Sequence, residues 1–178
     1  MKKLCLILAS ILFIFNASFA NQILGSAKVV DGDTIKINGK IIRLFGIDAP
    51  EKKQICKKNW LSINFFTFTK NYYCGKVATK KLKKFISNKQ VKCVGDQLDR
   101  YNRIIAICYV DNKDINRWLV RNGFVVAYKK YSTKYSYQEK MAQKEKIGLW
   151  QGEFDMPWEW RKKNKWFIKL LVIRLDKY

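Results

Sequence analysis

Three short segments hold the side chains that could do chemistry: Asp31-Gly32-Asp33-Thr34, then Arg43-Leu44-Phe45-Gly46-Ile47-Asp48-Ala49-Pro50-Glu51, then Asp99-Arg100-Tyr101-Asn102-Arg103. Carboxylate oxygens suit a hard divalent cation such as Ca2+. A further carboxylate can take a proton from water, and paired arginines can grip a phosphate through fork-shaped, charge-assisted hydrogen bonds that lysine does not reproduce. That combination fits hydrolysis at an anionic phosphorus, where extra charge on the transition-state oxygens must be stabilised. The 178-residue chain contains no histidine, which excludes Ser-His-Asp hydrolysis, histidine-based zinc sites and paired-histidine ribonuclease chemistry together. Taken singly, each segment has an ordinary reading as a turn, a strand exit or a hairpin loop. Their meaning lies in the combination.

The surrounding pattern supplies a scaffold. Residues 27–30, 34–37 and 41–45 read as strands, with Asn38-Gly39 between the last two as a turn that takes positive φ at both positions. A two-residue turn there pairs Thr34 with Arg43. Strict alternation then points Asp33 and Arg43 to opposite faces, so a bulge or strand end must intervene for both to reach one phosphate. Pro50 fixes its own φ and biases Ala49 toward extended backbone, so that Asp48 and Glu51 project from a stiff strand exit. A second hairpin joins 91–94 to 104–108, and centring it on Arg100 and Tyr101 sets Cys93 opposite Cys108. Opposed strand residues lie about 4.5–5.5 Å apart at Cα, within disulfide reach. Cys56 and Cys74 remain as a second pair, and buried free thiols on a core face are the alternative.

Between the hairpins, Ala78, Leu82, Phe85 and Ile86 share a helical stripe with lysines 76, 80, 83 and 84 mostly off it. Ile115, Trp118 and Leu119 share a second helical face that Gly123 would stop. Ser136-Tyr137-Gln138-Glu139 has the form of a capping box opening a third helix, which Gly148 would end. Strands first, a helix between hairpins and helices last make an α+β domain on a small barrel.

Together and in this order, the three segments resemble the staphylococcal nuclease family, whose pattern runs D-G-D-T, R-x-x-x-x-D-x-P-E and D-x-Y-G-R. The resemblance continues through Arg121-Asn122-Gly123, Ala127-Tyr128 and Gly148-Leu149-Trp150. It implies a five-stranded OB-fold barrel with three α-helices, and a Ca2+-dependent endonuclease that cuts DNA and RNA with little sequence preference and leaves 3′-phosphates. Asp33 and Asp48 resemble the family's calcium ligands, joined by the backbone carbonyl of Ala49. Glu51 resembles its general base, and Arg43 and Arg103 its catalytic arginines. Arg100, Tyr101 and Tyr128 resemble nucleotide-contacting positions, although Tyr128 also fits a core place after Phe124-Val125-Val126-Ala127. Asn102 stands where glycine is usual, and asparagine is the next best residue for a left-handed turn. The cysteines and the stretch from Gly152 to Trp160 resemble those of exported Gram-negative members, with the aromatic residues of that stretch in a packing role.

The first twenty residues carry Lys2 and Lys3, an apolar run from Leu4 to Phe15 and a Ser18-x-Ala20 ending, the layout of a secretory signal peptide. Cleavage after Ala20 leaves one domain over 21–160 and a basic extension over 161–178, exported to the periplasm or the medium. Without Lys2 and Lys3, 34 basic residues face 14 acids, a net charge near +20, which favours DNA and RNA as partners. Twelve lysines and no acid lie between Glu51 and Asp96, a track for nucleic-acid backbones or simply a solvated face. The extension has seven basic residues, one acid and an apolar patch around Trp166 and Leu170. Its composition favours a packed or disordered segment over a membrane-surface helix. No stable protein partner is expected, and the chain should act as a monomer. The competing function is a catalytically silent OB-fold nucleic-acid binder.

Overall fold

The computed structural model of the chain describes residues 21–165, so the signal segment 1–20 and residues 166–178 of the extension lie outside the described residues. Three strands come first: β1 (Gln22–Val29), β2 (Thr34–Ile37) and β3 (Lys40–Leu44). Asn38 and Gly39 have φ of 49° and 81°, and the tight turn they make pairs Thr34 with Arg43, as the sequence predicts. A short β4 (Ile47–Asp48) leads into a long hairpin of β5 (Ile55–Ile63) and β6 (Phe66–Tyr73), then α1 (Cys74–Ile86). There follow β7 (Gln90–Leu98), β8 (Ile104–Val110), β9 (Lys113–Asp114), α2 (Ile115–Arg121), β10 (Val126–Ala127) and α3 (Ser136–Lys144). A 3-10 turn (Gly148–Gln151) precedes a fourth helix, α4, over 157–165.

The strand order β3-β2-β1-β7-β8 closes on itself because β8 also pairs with β3 in parallel. The result is the five-stranded mixed barrel expected from the sequence, with four helices among the described residues rather than three. Closure removes the open sheet edges. Ile35, Ile37, Ile42 and Leu44 fill the barrel with Val91, Ala106 and Val110, and α1 lays Ala78, Leu82 and Ile86 against them. The α1 stripe is thus the one its periodicity indicates. Phe85 stacks on Trp118 of α2 with ring centroids 3.9 Å apart.

Two local expectations are corrected, and one element was not anticipated. The capping box at Ser136 does not form. Ser136 is the first residue of α3 rather than its cap, and buried Glu139 instead accepts the Ala127 amide at 2.9 Å and pairs with Lys129. Gly148 opens the 3-10 turn, while α3 itself stops at Lys144. The β5–β6 hairpin was not legible as strands and forms a separate two-stranded sheet.

The pairing of β7 with β8 also departs from simple centring. Beside the loop, Gln97 faces Ile105 and Leu98 faces Ile104, whereas beyond a bulge Cys93 faces Cys108. The bulge absorbs one residue and returns the cysteines to the predicted register. Cys93–Cys108 and Cys56–Cys74 are both disulfide-bonded, with Cα separations of 4.0 and 5.7 Å. The first ties the barrel wall, and the second ties the base of the β5–β6 hairpin to α1. Replacing Cys93 and Cys108 together by serine should lower unfolding stability by about 2–4 kcal/mol, because the cross-link restricts the unfolded chain. Denaturant titration without reductant reads this, and an unchanged midpoint would deny the bond a structural role.

Candidate active site

Asp33 sits in the bend just before β2, so strand alternation does not constrain its side chain. Its backbone carbonyl accepts the Leu44 amide at 2.8 Å, which holds the bend against the end of β3. One carboxylate oxygen takes the Thr34 hydroxyl at 3.1 Å and meets Arg43 Nη1, and the other takes the Ala49 amide at 2.7 Å. A strand end therefore resolves the facing problem posed by the sequence. Gly32 matters here too, since a Cβ there would lie 2.8 Å from Ala49 Cβ.

Asp48 lies on β4, opposite Val126 of β10, and is fully buried. Arg43 Nη2 donates to Asp48 Oδ1 at 2.9 Å and to the Ile47 carbonyl at 3.1 Å. One guanidinium thus bridges Asp33 and Asp48. Burial pulls Arg43 below its ordinary pKa against the raising influence of Asp48.

Two buried carboxylates this close need compensating positive charge. Here guanidinium groups supply it, and the oxygen donors are of the kind a hard divalent cation takes. Ala49, whose amide already bonds Asp33, places a backbone carbonyl in the same stretch. The residues therefore fit a calcium ion. Among the described residues no cluster of three or more acidic, histidine or cysteine side chains is preassembled for a metal, so water would have to complete the coordination.

Glu51 follows on the strand exit and is half exposed. Buried Gln54 brackets it: the Gln54 amide donates to the Glu51 carbonyl at 2.8 Å, and Gln54 Oε1 accepts the Glu51 amide at 3.3 Å. Gln54 Nε2 then donates to the Asp155 carbonyl at 2.7 Å, tying the Glu51 turn to the C-terminal segment. On the other side, Gly75 of α1 packs so closely that a Cβ would fall 2.2 Å from the Glu51 carbonyl oxygen. The turn is held from both directions.

Sequence reasoning missed Arg161. From α4, its Nη2 donates to Asp48 Oδ2 at 2.7 Å and its Nη1 to Asp48 Oδ1 at 3.3 Å and Glu51 Oε1 at 3.1 Å. Burial works against its charge, but the hydrogen bonds and charges of Asp48 and Glu51 outweigh it and raise its pKa. The available signal was Pro157, a favoured first helical residue, with Trp158 and Arg161 three apart on one helix face. Trp158 stacks on Tyr128 at 5.5 Å, which docks that face beside the carboxylates.

The remaining sequence-predicted residues lie on the loop between β7 and β8 and just after β10. Arg103 does not touch the carboxylates. Its Nε and Nη2 each lie 2.7 Å from Asp99 Oδ2 on its own loop, although its charge is felt by Arg43. Burial opposes ionisation of Asp99, yet the hydrogen bonds from Arg103 and the Tyr101 amide hold it below the usual carboxylate range. Asn102 takes the expected left-handed conformation, with φ 58°. Tyr101 is exposed, with the Arg100 and Arg103 guanidinium groups 5.0 and 5.4 Å from its ring centroid. Tyr128 is half buried at the rim, with its amide donating to the Gly46 carbonyl at 2.9 Å. Burial and the charge of Asp48 raise its phenol pKa.

Residues 41–152 match the family described as staphylococcal nuclease homologue. A succinoglycan biosynthesis protein of Rhizobium meliloti is 33% identical over 150 residues, covering 83% of this chain and 74% of its own. An uncharacterized endonuclease of Escherichia coli is 33% identical over 142 residues, covering 75% of this chain and 81% of its own. A staphylococcal-like nuclease of Arabidopsis thaliana is 30% identical, with 70% of this chain matching 34% of that longer protein. Arg161 lies beyond the matched family region.

Proposed function

Because the chain belongs to the staphylococcal nuclease family and is a phosphodiester-hydrolysing nuclease, we propose that it is an exported, Ca2+-dependent endonuclease of DNA and RNA that leaves 3′-phosphates. The observation that carries this reading is the buried Asp33–Asp48 pair bridged by Arg43, with Arg161 in turn bridging Asp48 and Glu51. A bound calcium ion would supply charge neutralisation and polarise a phosphate oxygen. Asp33, Asp48 and the Ala49 carbonyl would hold it.

The chain's own groups account for the rest. Glu51 accepts a proton from the attacking water. Arg43 and Arg103 stabilise the charge growing on the phosphoryl oxygens, for which Arg103 must turn from Asp99 to the substrate. As the water oxygen bonds to phosphorus the bond to the 5′ oxygen breaks; that oxygen takes up a proton from solvent and departs as an alcohol, leaving phosphate on the 3′ side. Arg100 meets a flanking phosphate, while Tyr101 and Tyr128 offer rings on which bases can stack. Two disulfides suit an oxidising, exported compartment.

Digestion of supercoiled DNA and of RNA in Ca2+, in Mg2+ and in chelator tests the proposal. Cleavage should be fastest with Ca2+, weak with Mg2+, which demands tighter geometry, and absent with chelator. Polymerase should extend the products only after phosphatase treatment. Equal cleavage in chelator, or direct extension, would contradict it.

A further inference from the structure

The β5–β6 hairpin stands outside the barrel sheet, and its tip has no counterpart in the chemistry above. Register places Ile63 opposite Phe66, Leu61 opposite Phe68, Lys58 opposite Lys70 and Cys56 opposite Tyr72, all on one face of the hairpin. Only the last rung belongs to the core, where Cys56 and Tyr72 pack with Val126 and Leu149. The two outer rungs are apolar and exposed, and Phe65 in the turn is 100% exposed, Phe66 73% and Trp60 70%. No charged residue occurs from Asn59 to Thr69. The base, by contrast, is fixed by the Cys56–Cys74 disulfide and by the Lys57 amide donating to the Glu153 carbonyl at 2.8 Å.

We propose that this hairpin is a membrane-docking wedge that seats its tip in the interface of an anionic lipid bilayer. A contiguous exposed apolar surface is costly in water and marks an interaction site. The Lys58–Lys70 rung sets like charges directly opposite each other, a destabilising pair that an anionic partner relieves. The lysine rung lies about 14 Å behind the Phe66 rung along the strand. That spacing lets aromatic and aliphatic side chains enter the headgroup and acyl boundary to the ~5–10 Å typical of interfacial elements while the lysines meet lipid phosphates. Trp60, between the two levels, suits the membrane–water interface.

Other occupants fit less well. Bases could stack on Phe66 and Phe68, but Leu61 and Ile63 give them nothing to stack on or hydrogen-bond with, so a nucleic-acid strand would leave the β5 half of the outer rungs unused. A second copy brings the same lysine rung and the same large positive charge. The basic extension of the chain carries that sign as well.

The test is co-sedimentation of the mature full chain with vesicles of neutral phosphatidylcholine and with vesicles containing about one-third anionic lipid. Retention is expected on the anionic vesicles and should weaken with salt. Phe65→Ser with Phe66→Ser, both at exposed positions, should weaken vesicle binding at least about tenfold and leave cleavage of DNA in solution at the wild-type rate. That activity control separates failure of the wedge from failure of the nuclease reading. Lys58→Gln with Lys70→Gln should weaken binding to anionic vesicles by about fivefold per lysine. Unchanged vesicle binding by the phenylalanine variant would overturn the proposal. So would loss of single-stranded DNA or RNA affinity in its place, or a solution dimer that the variant dissolves.

Discussion

Glu51→Gln is expected to slow phosphodiester cleavage by about 10² to 10⁴, the usual worth of a general base, while the folded protein still binds DNA. Glutamine keeps the shape and volume of the side chain but cannot take the proton of the attacking water. The turn that carries it should persist, because Gln54 holds Glu51 through its backbone amide and carbonyl and not through its carboxylate. Arg161 keeps its two contacts to Asp48, and the glutamine amide oxygen can still accept from its Nη1 although the charge is gone. Melting temperature and DNA affinity should therefore stay near wild type while single-turnover cleavage collapses. Near-wild-type cleavage by a folded Glu51→Gln protein would remove Glu51 from the chemistry.

Arg43→Ala and Arg103→Ala should each cost about 10² to 10³ in rate, the common effect of losing one preorganised donor at a developing charge. Their stabilities should differ. Arg43 bridges two buried carboxylates, and deleting one member of a buried pair typically costs about 3–5 kcal/mol. Arg43→Ala should therefore melt well below wild type in chelator and recover in Ca2+, which stabilises the native state by binding it. Arg103 pairs with Asp99 on a surface loop, and its loss should move the melting temperature little. Thermal melts of both variants with chelator and with Ca2+, alongside single-turnover rates, check this. Equal stability loss in the two, insensitive to Ca2+, would contradict the bridging role of Arg43.

Much of this architecture could be read from local rules. Asn38-Gly39 specifies its turn and hence the pairing of Thr34 with Arg43, and the stripe of Ala78, Leu82 and Ile86 specifies the buried face of α1. Asp33 and Arg43 meet only because Asp33 precedes β2, a boundary that alternation alone cannot locate. The β5–β6 hairpin escaped because its lysines and uncharged polar residues blur the period of two and because its outer rungs have no core to pack against. Glu139 resembled a cap, but its buried carboxylate instead accepts the Ala127 amide and pairs with the exposed Lys129, partners from another part of the chain. Arg161 was hidden for a related reason. Its partners lie 110 and 113 residues earlier, and no local spacing encodes that contact.

Arg161 also bears on metal binding, since both oxygens of Asp48 accept from it. A cation binding Asp48 must displace at least part of that contact. The most direct test of the site is therefore equilibrium binding of Ca2+, measured by calorimetry on wild-type protein and on Asp48→Asn. One calcium per wild-type chain, lost in Asp48→Asn together with cleavage, is the predicted result. Binding that is absent from an active wild-type protein, or unchanged in Asp48→Asn, would contradict the assignment of Asp33 and Asp48 as the metal-binding pair.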